Sequence, residues 1–411
     1  MIYDVAIVGA GPGGAICAHA LADSGLSVVV LDKASFPRDK ICGDALSGKV
    51  ASLLKRVSPE LLTALHDEFA EKVGSWGVRF VGPNKEFLDV PFKLEYDAQK
   101  QTAPGFIAKR IDFDNFLVEK LKKHTHIEML SGFDTEDVVF GRETVIITSK
   151  AKKSIEARFV VGADGAHSIV AKKVNKFKVE QEHYCAGLRA YYQNVEGLHP
   201  HNFIELHFLK EFLPGYFWIF PLPNGAANVG VGMLSSKVSR KKVNLKEEMK
   251  RIIREEPTIA HRFKNATVVD DIKGFGLPLG SKKRSISGER YILVGDAASL
   301  IDPFTGEGIA NAMISGHKAA VQIKECFKKG NFSASFMEAY DKDVYNRLWK
   351  ELRLSHIMQK LTNYPSLFNL VIKKANNSPT LKSTIVAMFD NIDLRKQLQS
   401  PKFYAKLLLG K

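Results

Sequence analysis

The feature that most limits what this chain can fold into is its first fourteen residues, read together with Asp32. Ile2–Val8 is a short apolar run bounded by glycine, the pattern of a buried parallel strand. It leads into Gly9-Ala10-Gly11-Pro12-Gly13-Gly14, where Gly9, Gly11 and Gly14 have the GxGxxG spacing. Gly9 permits a tight turn, Gly11 lets the backbone approach a pyrophosphate, and Gly14 allows close packing of helix on strand. A helix over about residues 13–24 aims its free N–H groups and positive dipole end at the phosphates. The next apolar run, residues 27–31, ends in Asp32, in the window where a carboxylate accepts hydrogen bonds from a ribose diol. Lys33 and Arg38 follow as further cofactor-binding candidates. A bare GxGxxG is as readily a glycine-rich turn in another α/β unit; strand, helix and acid in register favour the dinucleotide site.

Two later segments extend the pattern. They are Gly162-Ala163-Asp164-Gly165, and Gly295-Asp296-Ala297-Ala298 followed by Pro303-Phe304-Thr305-Gly306-Glu307-Gly308. Any one of the three could be chance. In this order they fit the parts of one flavin site and point to an FAD-dependent oxidoreductase.

Length and composition agree. A chain of 411 residues suggests two or three domains, and 45% hydrophobic with 25% charged residues is ordinary for a globular protein. The N-terminus enters the dinucleotide strand directly, leaving no room ahead of it for a signal peptide. No apolar run is long enough to span a bilayer. Cys17, Cys42, Cys185 and Cys326 are scattered without zinc-ligand spacing, so a reducing cytoplasm fits. The pairs His124/His126 and His199/His201 have no convincing third ligand, and no metal is expected.

The net charge of +14 is uneven: residues 341–411 hold 13 Lys or Arg against 5 Asp or Glu, a surplus of eight. The stretch reads as helical through Leu348, Leu352, His356 and Leu361, and Pro365, Pro379 and Pro401 divide it. A solvated lysine face is the plainer account; the alternative is a basic amphipathic surface for anionic lipid or substrate, giving a cytoplasmic protein peripheral to a membrane. Nucleic acid is not an expected partner, since no binding module accompanies the charge.

Between these ends lie a helix over residues 111–123 and strands over 144–147 and 158–161. From Tyr184 to about Val269 the strands lengthen and become aromatic: residues 203–208, Tyr216–Pro221 and 227–231, with a helix over Leu245–Glu255. A buried strand over residues 291–294 then returns to the third glycine segment. The expected class is α/β. A discontinuous Rossmann-like FAD-binding domain (1–72, 100–183 and 275–330) encloses a mostly β substrate domain (73–99 and 184–274), and a helical segment (331–411) follows.

These residues resemble a known family. Gly9–Gly14, Asp164-Gly165 and Gly295-Asp296 are similar to the flavoprotein hydroxylase fold, whose type member is para-hydroxybenzoate hydroxylase. Within it, Tyr216-Phe217-Trp218-Ile219-Phe220-Pro221 and Lys40-Ile41-Cys42-Gly43 resemble the geranylgeranyl reductase family, as do residues 227–232 and 303–308. The resemblance covers about residues 1–330. It implies that Asp296 binds the flavin ribityl chain, that Arg110 lies near the phosphates or ribityl chain, and that Cys42 and Gly43 approach the flavin. Gly306, Gly308 and Ile309 would open a helix whose positive end faces the isoalloxazine. One departure stands out: hydroxylases carry an arginine three residues past Ser168, where this chain has Ala171. With no second GxGxxG unit, the reductant is open among NAD(P)H, ferredoxin and a reduced flavin.

Along the aromatic strand, Tyr216, Trp218 and Phe220 share one face and Phe217 and Ile219 the other. The family implies an apolar wall for an isoprenoid chain; an ordinary sheet core uses aromatics too. Cys42 is a catalytic candidate or simply a buried thiol. The leading expectation is reduction of C=C bonds in a prenyl or otherwise apolar small molecule. Aromatic hydroxylation by a monooxygenase is the alternative, a halogenase-like enzyme ranks third, and a flavin carrier without turnover is the plainest reading.

Overall fold

The computed structural model describes residues 1–93, 95–175, 179–378 and 382. Apolar runs from distant parts of the chain form one parallel ladder, in the order Tyr291–Leu293, Ser154–Gly162, Ile2–Val8, Val28–Asp32 and Ile127–Ser131. Register explains why the glycine segments meet. Val8 lies opposite both Gly162 and Leu31, and Gly162 opposite Leu293. Gly9, Ala163 and Val294 therefore leave the sheet at one carboxyl edge, beside Asp32 at the end of its strand, where open α/β sheets bind ligands. Thr135–Phe140 and Val145–Ser149 extend the sheet antiparallel.

Helices Pro12–Leu21 and Ile309–Lys329 cross at bare backbone: a Cβ on Gly316 would stand 2.1 Å from the Gly13 carbonyl oxygen. The first helix ends at Leu21, short of residue 24, because Gly25 turns the chain at φ 72°. The helix expected from residue 111 spans Arg110–Leu121.

A second sheet runs Thr267–Val268, Tyr184–Gln193, Ala227–Leu234, Tyr216–Pro221, Ile204–His207, Gly77–Val81 and Phe87–Pro91, with Lys273–Pro278 also paired to Tyr184–Gln193. All its pairs are antiparallel except Ile204–His207 on Gly77–Val81. Alternation sends Trp218 and Phe220 to a core that includes Phe368 and Ile372 of helix Pro365–Asn377. Phe217 and Ile219 point into another, with Met249 and Ile252 of helix Leu245–Glu255. A small sheet of Ala45–Leu46, Gly105–Ala108 and Lys72–Ser75 stands apart from the two larger ones.

At the C-terminal end, helix Ala334–Leu361 buries Leu348 and Leu352, and Pro365 opens helix Pro365–Asn377 in its first turn, where proline's missing N–H costs nothing. Pro379 and Pro401 lie outside the described residues. Among the described residues no helix is long and apolar enough to cross a membrane.

Candidate active site

The phosphate end is built from backbone. Gly9 has φ 102°, and a Cβ there would stand 2.3 Å from the Ala163 carbonyl oxygen, so only glycine lets the two strand exits touch. The Ala10 N–H donates to Asp32 Oδ2 at 2.9 Å and the Ala34 N–H to Oδ1 at 3.0 Å. Gly11 faces open space bounded by two cations: its Cβ position is 3.9 Å from guanidinium nitrogens of both Arg38 and Arg110. Asp114 aims both arginines, pairing with Arg38 at 2.8 Å and with Arg110 through two bonds of 2.6 Å. Two cations and the N-terminus of helix Pro12–Leu21, beside a glycine with no side chain to intrude, suit a pyrophosphate. Pro12, Gly13 and Gly14 form the first turn of that helix and are buried. Lys33 is exposed at the rim.

Asp164 serves differently from the other acids. Its carboxylate accepts from Ser168 Oγ at 2.5 Å and from the Ile169 N–H at 2.6 Å, and so caps the helix Ile169–Asn175. Ala171, at the position of the missing arginine, is buried, while Lys172 and Lys173 are exposed and Lys173 pairs with Asp137.

The ring end joins three loops. Lys40 Nζ lies 3.4 Å from Asp296 Oδ2, and Asp296 Oδ1 is 3.5 Å from the Cβ position of Gly308. Gly308 precedes helix Ile309–Lys329 with no side-chain cap, leaving first-turn N–H groups for a ligand. Gly306 takes φ 75°, and its Cβ position is 2.8 Å from the Tyr216 hydroxyl, which donates to the Thr305 carbonyl at 2.9 Å. At the other side, the Cβ position of Gly43 is 2.8 Å from the Phe220 ring. The aromatic strand thus spans the two glycine loops between which the flavin ring would sit. The Arg110 guanidinium, bonded to Asp114, also feels the Cys42 thiol electrostatically.

Tyr216 also lines a cleft with Phe208, Met233, Leu279, Phe304 and Gly306. The cleft is narrow, with a cavity volume of about 20 Å³, and Asp302, Gln359 and Thr362 are among its polar lining groups. Burial drives the Tyr216 hydroxyl pKa well up, so it stays a neutral donor. Trp218 packs behind it, its indole against bare Gly230, where a Cβ would be 2.3 Å away.

Sequence reasoning missed a buried polar cluster behind Cys42. Asp44 has no exposed surface, and its Oδ2 accepts from the Tyr191 hydroxyl and the Asn228 amide, each at 2.8 Å. Burial lifts its carboxyl to about 6, against the pull of those two donors and of Arg189 and Arg110. Arg189, also fully buried, bonds Asp39 and Asp270 at 2.6 Å each and stacks 3.9 Å from the Tyr191 ring centre. A signal was present: Arg189 and Asn228 are lone polar residues inside otherwise apolar strands, and such groups need partners.

The histidine pairs are engaged elsewhere. His199 stacks on Phe203, His201 bonds the Tyr96 hydroxyl, and His124 meets His19 edge-on.

Residues 2–355 match the FAD binding domain family. Among curated proteins, the chain is similar to conditioned medium factor receptor 1 of Dictyostelium discoideum (30% identical, 87% of this chain and 70% of that one). It is similar to a menaquinone reductase of Mycobacterium tuberculosis (29%, 77% and 75%). A digeranylgeranylglycerophospholipid reductase of Methanosarcina acetivorans is 29% identical, over 85% and 81%. Of solved structures, a geranylgeranyl bacteriochlorophyll reductase-like protein of Thermoplasma acidophilum shares the fold with TM-score 0.79 (23% identical, 97% and 98% covered). The flavin-dependent brominase Bmp2 shares it at 0.76 (21%, 95% and 94%). The chain belongs to the FAD binding domain family and is an FAD-dependent oxidoreductase.

Proposed function

We propose that this protein reduces C=C bonds of a prenyl or similarly apolar substrate, taking electrons from an external donor such as NAD(P)H. The observation that carries the reading is the cleft of Phe208, Tyr216, Met233 and Phe304, which opens onto Gly306 at the ring end of the cofactor site. No Lys or Arg is among its lining residues, so it suits an apolar chain better than a charged group. The relatives named as menaquinone and digeranylgeranylglycerophospholipid reductases support that substrate class. Bound and reduced, FAD would supply hydride from its N5 to the alkene.

The chain's own residues hold, orient and keep dry. Arg38 and Arg110 hold the phosphates, Asp32 a ribose and Asp296 the ribityl hydroxyls. The helix end at Gly308 favours negative charge at the ring. Tyr216 lines the cleft in which the alkene would align, and Trp218 and Phe220, packed in the core behind it, hold that wall in place and keep it dry. Cys42 lies in the loop whose Gly43 packs against Phe220, and its carbonyl accepts from Asn228. Residues 73–99 and 184–274 would be the substrate domain, with FAD held by the rest of residues 1–330.

Contact with a membrane surface is part of the proposal. Exposed Ile357, Tyr364 and Leu367 sit near Gln359 and Thr362 of the cleft, in the basic final segment. The test is anaerobic incubation of dithionite-reduced enzyme with prenyl quinones and prenyl lipids. Flavin reoxidation with gain of two hydrogens per bond supports the reading. Reoxidation only with oxygen, and a product carrying one more oxygen, makes the protein a monooxygenase instead.

A further inference from the structure

The Asp44 cluster does something that neither cofactor binding nor a greasy substrate wall requires. Asn228, with no exposed surface, uses its whole amide at one junction. Its Nδ2 donates to Asp44 Oδ2 at 2.8 Å and to the Cys42 carbonyl at 2.7 Å, and its Oδ1 accepts from Trp218 Nε1 at 2.8 Å. The amide therefore has one orientation only, because a flipped Asn228 would face a donor with its NH2 and two acceptors with its oxygen. What fixes it is a carboxylate that accepts and cannot donate.

Asp44 Oδ2 takes the Tyr191 hydroxyl and Asn228, and Oδ1 takes the Arg110 N–H at 3.3 Å. A proton fits only on the remaining lone pair of Oδ1, and there it turns the charge-assisted bonds from Tyr191 and Asn228 into weaker neutral ones. The group sits at the end of the Lys40–Gly43 loop with φ 70°, and its own carbonyl accepts from the Ala108 N–H. The charged groups around it come from every side: Arg110 from the helix it opens, Arg189 from strand Tyr184–Gln193, and Lys109, whose Nζ is 4.9 Å above the Tyr191 ring. Arg189 in turn is held by Asp39, from the same loop as Cys42, and by Asp270.

We propose that Asp44 is a positioning residue: through Asn228, its ionised carboxylate locks the Trp218 indole of the substrate wall to the Cys42 carbonyl of the cofactor loop. Protonation of Asp44 removes the charge from that bond, weakens its hold on Asn228 and loosens the coupling of the two. The role of Trp218 as substrate wall rests on the function proposed above; the coupling itself does not, and it is measured without substrate.

The experiment follows tryptophan emission of the FAD-loaded holoenzyme in a Trp76→Phe/Trp349→Phe background, which leaves Trp218 as the single reporter. Between roughly pH 5 and pH 8 the emission shows one transition with its midpoint near 6, the value burial imposes on Asp44. Asp44→Asn, a residue that tolerates positive φ, abolishes the transition. Tyr191→Phe removes one donor to the carboxylate and moves the midpoint upward by roughly half a unit or more. Persistence of the transition in Asp44→Asn, its absence from the background, or an unmoved midpoint in Tyr191→Phe each overturns the proposal. If Asp44→Asn fails to fold, the Tyr191→Phe midpoint decides. A protein that passes here yet reduces no prenyl substrate keeps the coupling and loses only the proposed function.

Discussion

At the carboxyl edge of the parallel sheet the candidate site is shaped by glycine backbone, with Asp32, Arg38 and Arg110 set around it. Gly9 touches Ala163, Gly11 opens toward two arginines, and Gly308 offers uncapped helix N–H groups. The wall on the antiparallel sheet is held by side chains instead: Tyr216 to Thr305, Trp218 to Asn228, Asn228 to Asp44 and Cys42. Gly9 tolerates no added atom, whereas a side-chain network loses one bond at a time. Substitutions should therefore act as a switch on the first and as graded losses on the second.

The largest effect is expected at Gly9. Alanine would have to adopt φ 102° and place its Cβ 2.3 Å from a carbonyl oxygen, within a run that cannot retreat because Val8 and Gly162 are paired neighbours. Strain of about 3 kcal/mol from the backbone alone, before the clash, should leave Gly9→Ala without bound FAD. The visible absorbance per protein after purification measures it. A normally yellow Gly9→Ala protein would erase the distinction between the two sheets.

Next comes a pH effect on the side-chain network. Asp44 has its folded-state pKa raised from 3.8 to about 6, so the folded form binds more protons than the unfolded one across that window. The stability this gives is fully present below 3.8 and is lost as pH rises through about 6. A shift of about two units corresponds to about 3 kcal/mol. Asp44→Asn lacks the titration, so its melting temperature should gain on the parent as pH rises from about 4 to about 6 and hold level above that. Parallel melting curves that never converge or diverge with pH would mean that Asp44 does not titrate in the fold.

Asp296→Ala should weaken FAD by about 1.5–3 kcal/mol, the worth of a hydrogen bond to a charged group. Cys42→Ala should weaken it less, because the Cys42 carbonyl, which Asn228 binds, survives the substitution. Titrating FAD into the two apoproteins ranks them, and equal affinities would move Asp296 off the ribityl chain.

What was legible in the sequence follows the same division. The glycine segments, Asp32 and the strand before each were readable because backbone geometry dictates residue type at fixed spacing. That they meet depends on a parallel register that pairs Val8 with Gly162 and Leu31, and the strand-then-glycine pattern implied it. Arg38 and Arg110 were readable as positions, but their common anchor Asp114 was not, since it lies 76 residues from Arg38. Asp44, Tyr191 and Asn228 were missed outright. Their partners are 147 and 184 residues apart, and no local pattern specifies a bond across that separation. The strands Gly77–Val81 and Phe87–Pro91 joined the aromatic sheet by the same kind of long-range pairing.

The smallest effect separates the two sheets where they touch. Tyr216 donates to the Thr305 carbonyl while its ring faces the cleft, so Tyr216→Phe removes one neutral hydrogen bond and keeps the apolar wall. A loss of about 1 kcal/mol is expected, or about fivefold in kcat/KM. FAD affinity should hardly change, because Gly306 needs no help from the hydroxyl to keep its positive φ. Steady-state kinetics with a prenyl substrate, set beside an FAD titration of the same variant, separates the possibilities. If FAD binding falls further than kcat/KM does, the hydroxyl holds the cofactor loop, and Tyr216 belongs to the backbone-built site.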